Sequence, residues 1–152
     1  NYAKAKSPYQ AGGQNIAAIS EWQKVYQVTP KIYKAMQPYL TALPESTPIN
    51  INTCSEEMLK ILKPGLKKED IKKILFARGE DGFRNNGELF AILEEFKLPV
   101  QNTTIHSQYF WLDTLITSPS GHKTHIKSLF YRRLTPKGAQ AYIALIKRFE
   151  LN

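Results

Sequence analysis

Between residues 50 and 96 apolar positions recur at helical spacing and are interrupted by turn residues. Thr53 is followed three residues later by Glu56. That is the spacing of a capping box, in which Thr53 accepts from the backbone N–H of Glu56 and Glu56 reaches back. Met58, Leu59 and Leu62 then make one apolar stripe, and Pro64-Gly65 stops the helix. A second helix is expected from about Lys68, with Glu69 and Asp70 at its positive end, Ile71, Ile74 and Leu75 inside it, and Gly79 at its close. After Gly82-Phe83 a third start falls at Asn85, with Glu88 at capping-box spacing. Leu89, Ile92, Leu93 and Phe96 give that helix its buried face. The pattern predicts a capped, helix-rich hairpin unit, a shape suited to binding or assembly.

The flanks read differently. Residues 1–15 carry Pro8, Gly12 and Gly13 and read as loop. Ser20 and Gln23 stand at capping-box spacing, which predicts a short helix over 21–27. Thr29-Pro30 supplies a second start, with Thr as N-cap and Pro at the first helical position; this helix is expected to end before Pro38. Leu43-Pro44-Glu45-Ser46-Thr47-Pro48 is a proline-punctuated connector. After Pro99 the period changes. Tyr109–Thr117 is dense in aromatic and β-branched residues, Ser118-Pro119-Ser120-Gly121 is a turn, and 125–133 is a second such run, so a β-hairpin is expected. Thr135-Pro136-Lys137-Gly138 fits another turn. Residues 141–149 have two readings: Tyr142, Leu145, Ile146 and Phe149 line one helix face, or the run is a strand apolar on both faces. The fold class is α+β, with a helical part at 1–100 and an antiparallel β part at 101–152.

Composition narrows the function. The 152 residues, 42% hydrophobic and 22% charged, suffice for one ordinary domain or two small ones with a packed core. The chain opens at Asn1 rather than Met, so it reads as a piece of a longer protein. No run of about 18 apolar residues is present. The single Cys54 excludes an internal disulfide, and the three His and one Cys lie at no zinc-ligand spacing. The net charge of +8 admits nucleic acid or an anionic surface. The basic residues are scattered, which fits a solvated surface or a patch facing an acidic partner. Their densest cluster is Lys67, Lys68, Lys72 and Lys73 at the start of one helix.

Candidate chemistry is sparse. The acidic pairs Glu56-Glu57, Glu69-Asp70, Glu80-Asp81 and Glu94-Glu95 sit at helix starts and ends, where capping or solvation accounts for them. His106, His122 and His125 read as surface residues. Cys54 falls at the first position of a predicted helix, where the dipole lowers a thiol pKa, but no histidine stands near it in sequence. Its ordinary reading is a small, partly buried residue. There is no Walker loop and no dinucleotide fingerprint. Gly79-Glu80-Asp81-Gly82 lacks the alternating acidic ligands of an EF-hand loop. No enzyme is expected.

The ordered series Ile49-Asn50-Ile51-Asn52-Thr53-Cys54-Ser55, Leu62-Lys63-Pro64-Gly65-Leu66, Ile74-Leu75-Phe76-Ala77-Arg78 and Gly82-Phe83 resembles two related groups. One is the DNA-binding helix-hairpin-helix modules. The other is the helical insert of the minor pseudopilin K family of type II secretion. A DNA-gripping hairpin has the pattern Pro-Gly-apolar-Gly, whose backbone N–H groups approach phosphate. Here the last position is Lys67, and a non-glycine residue resists positive φ there. Lys67, Lys68 and Lys72, with Gly65, are the candidate contacts of that alternative. The flanks favour the pseudopilin family. Ser7-Pro8-Tyr9-Gln10, Ile19-Ser20-Glu21 and Tyr39-Leu40-Thr41-Ala42-Leu43-Pro44 are similar to the stretch before its Asn-x-Asn-Thr motif. Ser107-Gln108-Tyr109-Phe110, with a glycine turn and Arg132-Arg133, is similar to its returning sheet.

This resemblance implies a strand for 141–149 and a structural role at the tip of the periplasmic pseudopilus. The partners it implies are the minor pseudopilins I and J, with the secreted substrate or the outer-membrane secretin beyond them. The full protein would be anchored at the periplasmic face of the inner membrane of a Gram-negative bacterium by an N-terminal helix absent from this sequence. Family members bind calcium through an acidic segment that would also precede these residues, so no ligand is assigned here, and no other cofactor is expected. Asn50, Asn52, Thr53, Glu56, Pro64 and Gly65 are the structural motif. Tyr109, Phe110 and Trp111 are the candidate interface, because adjacent strand residues face opposite sides and the three cannot all be core.

Overall fold

In the computed structural model, residue 13, residues 15–133 and residues 142–151 are described. The Ser7-Pro8-Tyr9-Gln10 motif, most of the expected N-terminal loop and the Thr135-Pro136-Lys137-Gly138 turn lie outside them. Two compact units are present, residues 1–47 and 48–152.

In the first unit, Thr29 caps helix α1 (Pro30–Met36) by accepting from the N–H of Ile32, with Pro30 at the first position, as its sequence predicts. The expected helix over 21–27 is instead a 3-10 segment, Ile19–Lys24. Ala18 stands at its cap, and no side chain accepts there, so the Ser20–Gln23 box does not form. Val25 turns extended and Gln27 takes a positive φ of 67°, which leaves no room for further helical turns. Trp22 and Tyr33 meet with ring centroids 6.3 Å apart, joining the 3-10 segment to α1.

The second unit begins with β1 (Ile49–Asn50), which pairs in parallel with β2 (Thr103–Thr104). Between them lie α2 (Glu56–Leu62), α3 (Lys68–Arg78) and α4 (Asn86–Glu95). Their apolar stripes meet in one core. Ile51, Leu59, Ile71, Ile74 and Leu93 are its most deeply buried members, and Phe83, Phe96 and Ile105 close it. At α4 the expected cap forms. Asn85 accepts from the N–H of Glu88, and Glu88 in turn binds the N–H of Arg84 and the Asn85 amide. The Glu88 carboxylate thus reaches back one residue beyond the N-cap. Deleting the core methyls of Leu59, which has no exposed surface, is expected to cost about 2–5 kcal/mol, read by urea unfolding.

After the helices come β3 (Tyr109–Thr117), β4 (Lys123–Arg133) and β5 (Tyr142–Leu151) in an antiparallel sheet of that order. Residues 142–151 are therefore strand, the alternative that the family resemblance implies. A bulge opposite Leu129 and Phe130 inserts one extra residue in β5. The fold is α+β: helices, then a small antiparallel sheet.

Candidate functional site

Asn50 and Asn52 organise the junction between the helices and the sheet. The Asn50 Oδ1 accepts from the N–H of Asn52 at 3.0 Å, an Asx turn, and its Nδ2 donates to Ser107 Oγ at 2.9 Å. Ser107 in turn accepts on its carbonyl from the Arg132 guanidinium at 3.0 Å, so a polar relay runs from β1 to the central strand. Asn52 reaches the loop before α4. Its Nδ2 donates to the Phe83 carbonyl at 2.9 Å, and its Oδ1 accepts from the Phe83 N–H at 2.8 Å. The same Nδ2 lies 3.4 Å from the Ile105 carbonyl. One side-chain amide therefore closes a strand-like pair with Phe83. Gly82 must be glycine beside it, with φ +73° and the place of a Cβ only 2.7 Å from Asn52 Cγ.

Thr53 and Glu56 do not form the expected capping box. The N–H groups of Thr53 and Cys54 both turn onto the Asn50 carbonyl, at 3.2 and 3.0 Å, so the chain is still turning where the helix was expected to start. The cap is Ser55, which accepts from the N–H of Met58 at 3.3 Å; Glu56 is simply the first helical residue. The signal was present as Ser55-Glu56-Glu57, a small hydroxyl before two first-turn carboxylates, but the Asn50 turn that delays the helix was not visible. Ser55→Ala is expected to cost about 1 kcal/mol and Thr53→Ala a few tenths, in the same denaturation assay. The Glu57 carboxyl is held below its usual range by its own backbone N–H and then by the Ser55 hydroxyl.

Cys54 consequently precedes the cap and does not sit on the positive end of a helix. It is buried, and burial pushes its thiol pKa up, against the pull of the Arg78 charge and its own N–H. Arg78 was not apparent from the sequence, yet it pins this turn by donating to the carbonyls of Ile51 at 3.1 Å and Cys54 at 2.9 Å. The folded thiol holds its proton at pH values where the unfolded one releases it. Its stabilisation is thus present below the unfolded pKa of about 8.5 and is lost as pH rises towards the higher folded value. Between pH 7 and pH 10 the protein is expected to lose more stability than its Cys54→Ala variant, compared by urea midpoints.

Pro64 and Gly65 form a type II turn. Leu66 N–H donates to the Lys63 carbonyl, and Gly65 takes φ +85° at the turn's third residue. Lys63 itself reaches the Phe96 carbonyl at the end of α4. Lys67, Lys68 and Lys72 are exposed along the start of α3, with Lys67 at its N-cap making no side-chain cap. Among the described residues no three of His, Cys, Asp and Glu are grouped to hold a metal ion, and Asp81 is engaged by Arg84.

The strand register sorts Tyr109, Phe110 and Trp111. Tyr109 and Trp111 share one face with Leu129, Lys127, His125, Lys147 and Phe149. There Lys127 and Lys147 lie over the indole, at 5.3 and 5.6 Å, and Trp111 stacks on Phe149. Their stems and rings leave Leu129 with no exposed surface. Asp113 and His125 pair on this face as well. Phe110 is on the opposite face, with Leu112, Ile116, Ile143 and Leu145, all exposed, and with the half-buried Ile126 and Phe130. On that face Arg132 lies over the Phe110 ring and Arg148 is on the outer strand. One face is thus partly covered by lysines and aromatic rings, although Leu115 on it stays 62% exposed. The other exposes five large apolar side chains, with Arg132 over one of them, and a contiguous exposed apolar patch is the kind of surface that marks an interaction site.

Comparison with known proteins follows the same division of the chain. Two models described as type II secretion system, protein K, match residues 1–45 and residues 49–106. Relatives named type II secretion system protein K are found in three bacteria. The one from Pectobacterium carotovorum is 39% identical over 56 residues, 36% of this chain and 17% of the relative. That from Pseudomonas aeruginosa is 26% identical over 107 residues, 67% of this chain and 31% of the relative. That from Aeromonas hydrophila is 26% identical over 145 residues, 86% of this chain and 42% of the relative. The chain spans less than half the length of these relatives.

Proposed function

The chain belongs to the protein K family of type II secretion systems, and from that premise we propose that it is the helical and β-sheet part of a minor pseudopilin. On this reading the protein is a non-enzymatic component at the tip of the periplasmic pseudopilus. It joins the minor pseudopilins I and J, and through the tip it meets the secreted substrate or the secretin. Its place is the periplasmic face of a Gram-negative inner membrane, and its role is the export of proteins across the outer membrane. Residues 1–100 serve as the helical part and residues 101–152 as the sheet.

One observation carries the reading: the exposed apolar side chains of Phe110, Leu112, Ile116, Ile143 and Leu145 on one face of the sheet. A sheet this small buries one face against another element or leaves it unstable. In the longer protein an N-terminal helix or a partner pseudopilin covers it. Within residues 48–152 the Asn50–Ser107–Arg132 relay ties the start of the α2–α4 segment to the same strands, so an assembly made through the sheet also positions those helices.

Gly65 at positive φ, with Lys67 and Lys68 beside it, favours a second reading, a DNA-binding hairpin. The two are separated by charge reversal. In a strain lacking the full-length protein, a Lys67→Glu, Lys68→Glu double variant is expected to restore secretion. The wild-type protein is expected to show no duplex binding that falls steeply with salt. Salt-dependent duplex binding abolished by the double variant would favour DNA instead.

A further inference from the structure

Phe76 is 89% exposed, although it lies within α3, a helix anchored in the core through Ile71 and Ile74. At 100° per residue it points directly away from Ile71, Ile74 and Arg78, which face the core and the Asn50 turn. Its neighbours on the outer face, three and four residues upstream, are Lys73 and Lys72, both exposed. Lys67 and Lys68 extend the basic character to the helix start, against Glu69 and Asp70 on the same stretch. An aromatic ring held on a rigid helix, with two lysines one turn before it and the exposed Glu69 and Glu80 further along the chain on either side, has the form of an interface anchor with a charged rim. Nothing in the junction, the core or the apolar sheet face uses it.

We propose that the outer face of α3 docks an acidic segment of a partner protein, with Phe76 entering an apolar pocket and Lys72 and Lys73 meeting carboxylates at its rim. Charge decides between occupants. Residues 1–47 carry five lysines against two glutamates, so this chain's own first unit is basic. A second copy brings a net charge of +8. Both repel the lysines, whereas an acidic polypeptide is attracted and steered to them. The site is separate from the sheet, so the proposal stands or falls independently of the sheet-assembly reading.

The test places the photoreactive residue p-benzoylphenylalanine at position 76 of the full-length protein in secreting cells, with crosslinked segments identified by mass spectrometry. The expected product is one partner protein, joined through a segment of net negative charge. Its yield is expected to fall by about tenfold or more when Lys72→Glu and Lys73→Glu are introduced together. Unfolding midpoints of the purified variants are expected to match that of wild type, since all three positions are on the surface. Crosslinking to residues 1–47, to a second copy or to nucleic acid would overturn the proposal. So would a yield indifferent to the charge reversal, or no crosslink at all.

Discussion

Asn52→Ala is expected to destabilise the protein by roughly 2–4 kcal/mol. The Asn52 amide both donates to and accepts from Phe83, at 2.9 and 2.8 Å. Truncation leaves a backbone N–H and a C=O without partners beside a buried ring, and each such group costs about 1–3 kcal/mol. Asn52→Asp is expected to be only partly damaging, because it keeps the acceptor and loses the donor. Gly82→Ala is expected to match the alanine variant at 52. Its new methyl meets the Asn52 side chain, and two hydrogen bonds prevent that side chain from moving aside. Because the two changes remove one shared contact, the double variant is expected to be less damaging than the sum. Urea unfolding of the four variants measures this. A loss below about 0.5 kcal/mol for Asn52→Ala would mean that water satisfies Phe83 and that the clamp is incidental.

The second large effect concerns assembly rather than stability. Leu112→Glu with Ile143→Glu is expected to abolish secretion by the full-length protein. Both residues lie on the apolar face of the sheet, where a charge must be desolvated when the covering element docks. Leu115→Glu is the matched control. Leu115 and Ile143 are equally exposed, at 62%, but Leu115 is on the face already occupied by Trp111, Lys127 and Lys147. The control is expected to secrete as wild type does. Equal loss from both variants would place the interface on neither face in particular, and the argument from sidedness would fail.

Much of this molecule was legible from one sequence, for physical reasons that differ along the chain. The caps at Thr29 and Asn85 form because each acceptor lies immediately before its helix and needs no distant partner. The stripes of α3 and α4 follow directly from their periodicity. Spacing points to Thr53 as the cap of α2, but Ser55 takes that place because the turn at Asn50 captures two N–H groups first, a competition between neighbouring acceptors that spacing does not rank. Arg78 and Gly82 were invisible as determinants, since their partners lie more than twenty residues away in the chain. Periodicity leaves strand or helix open for residues 141–149, and the pairing of β5 (Tyr142–Leu151) with β4 resolves it as strand. Alternation alone shows that Tyr109, Phe110 and Trp111 divide between two faces, and the register shows which: Phe110 lies on the apolar face, Tyr109 and Trp111 on the other.

The most direct measurement is a binding experiment with the complete periplasmic region of the protein and the periplasmic domains of minor pseudopilins I and J from the same organism. The components are mixed, separated by size-exclusion chromatography and weighed by light scattering. The expected result is a stable complex containing all three, lost with Leu112→Glu and Ile143→Glu and kept with Leu115→Glu. Three separate peaks at concentrations of tens of micromolar, about where weak assemblies still form, would contradict a place at the tip of the pseudopilus.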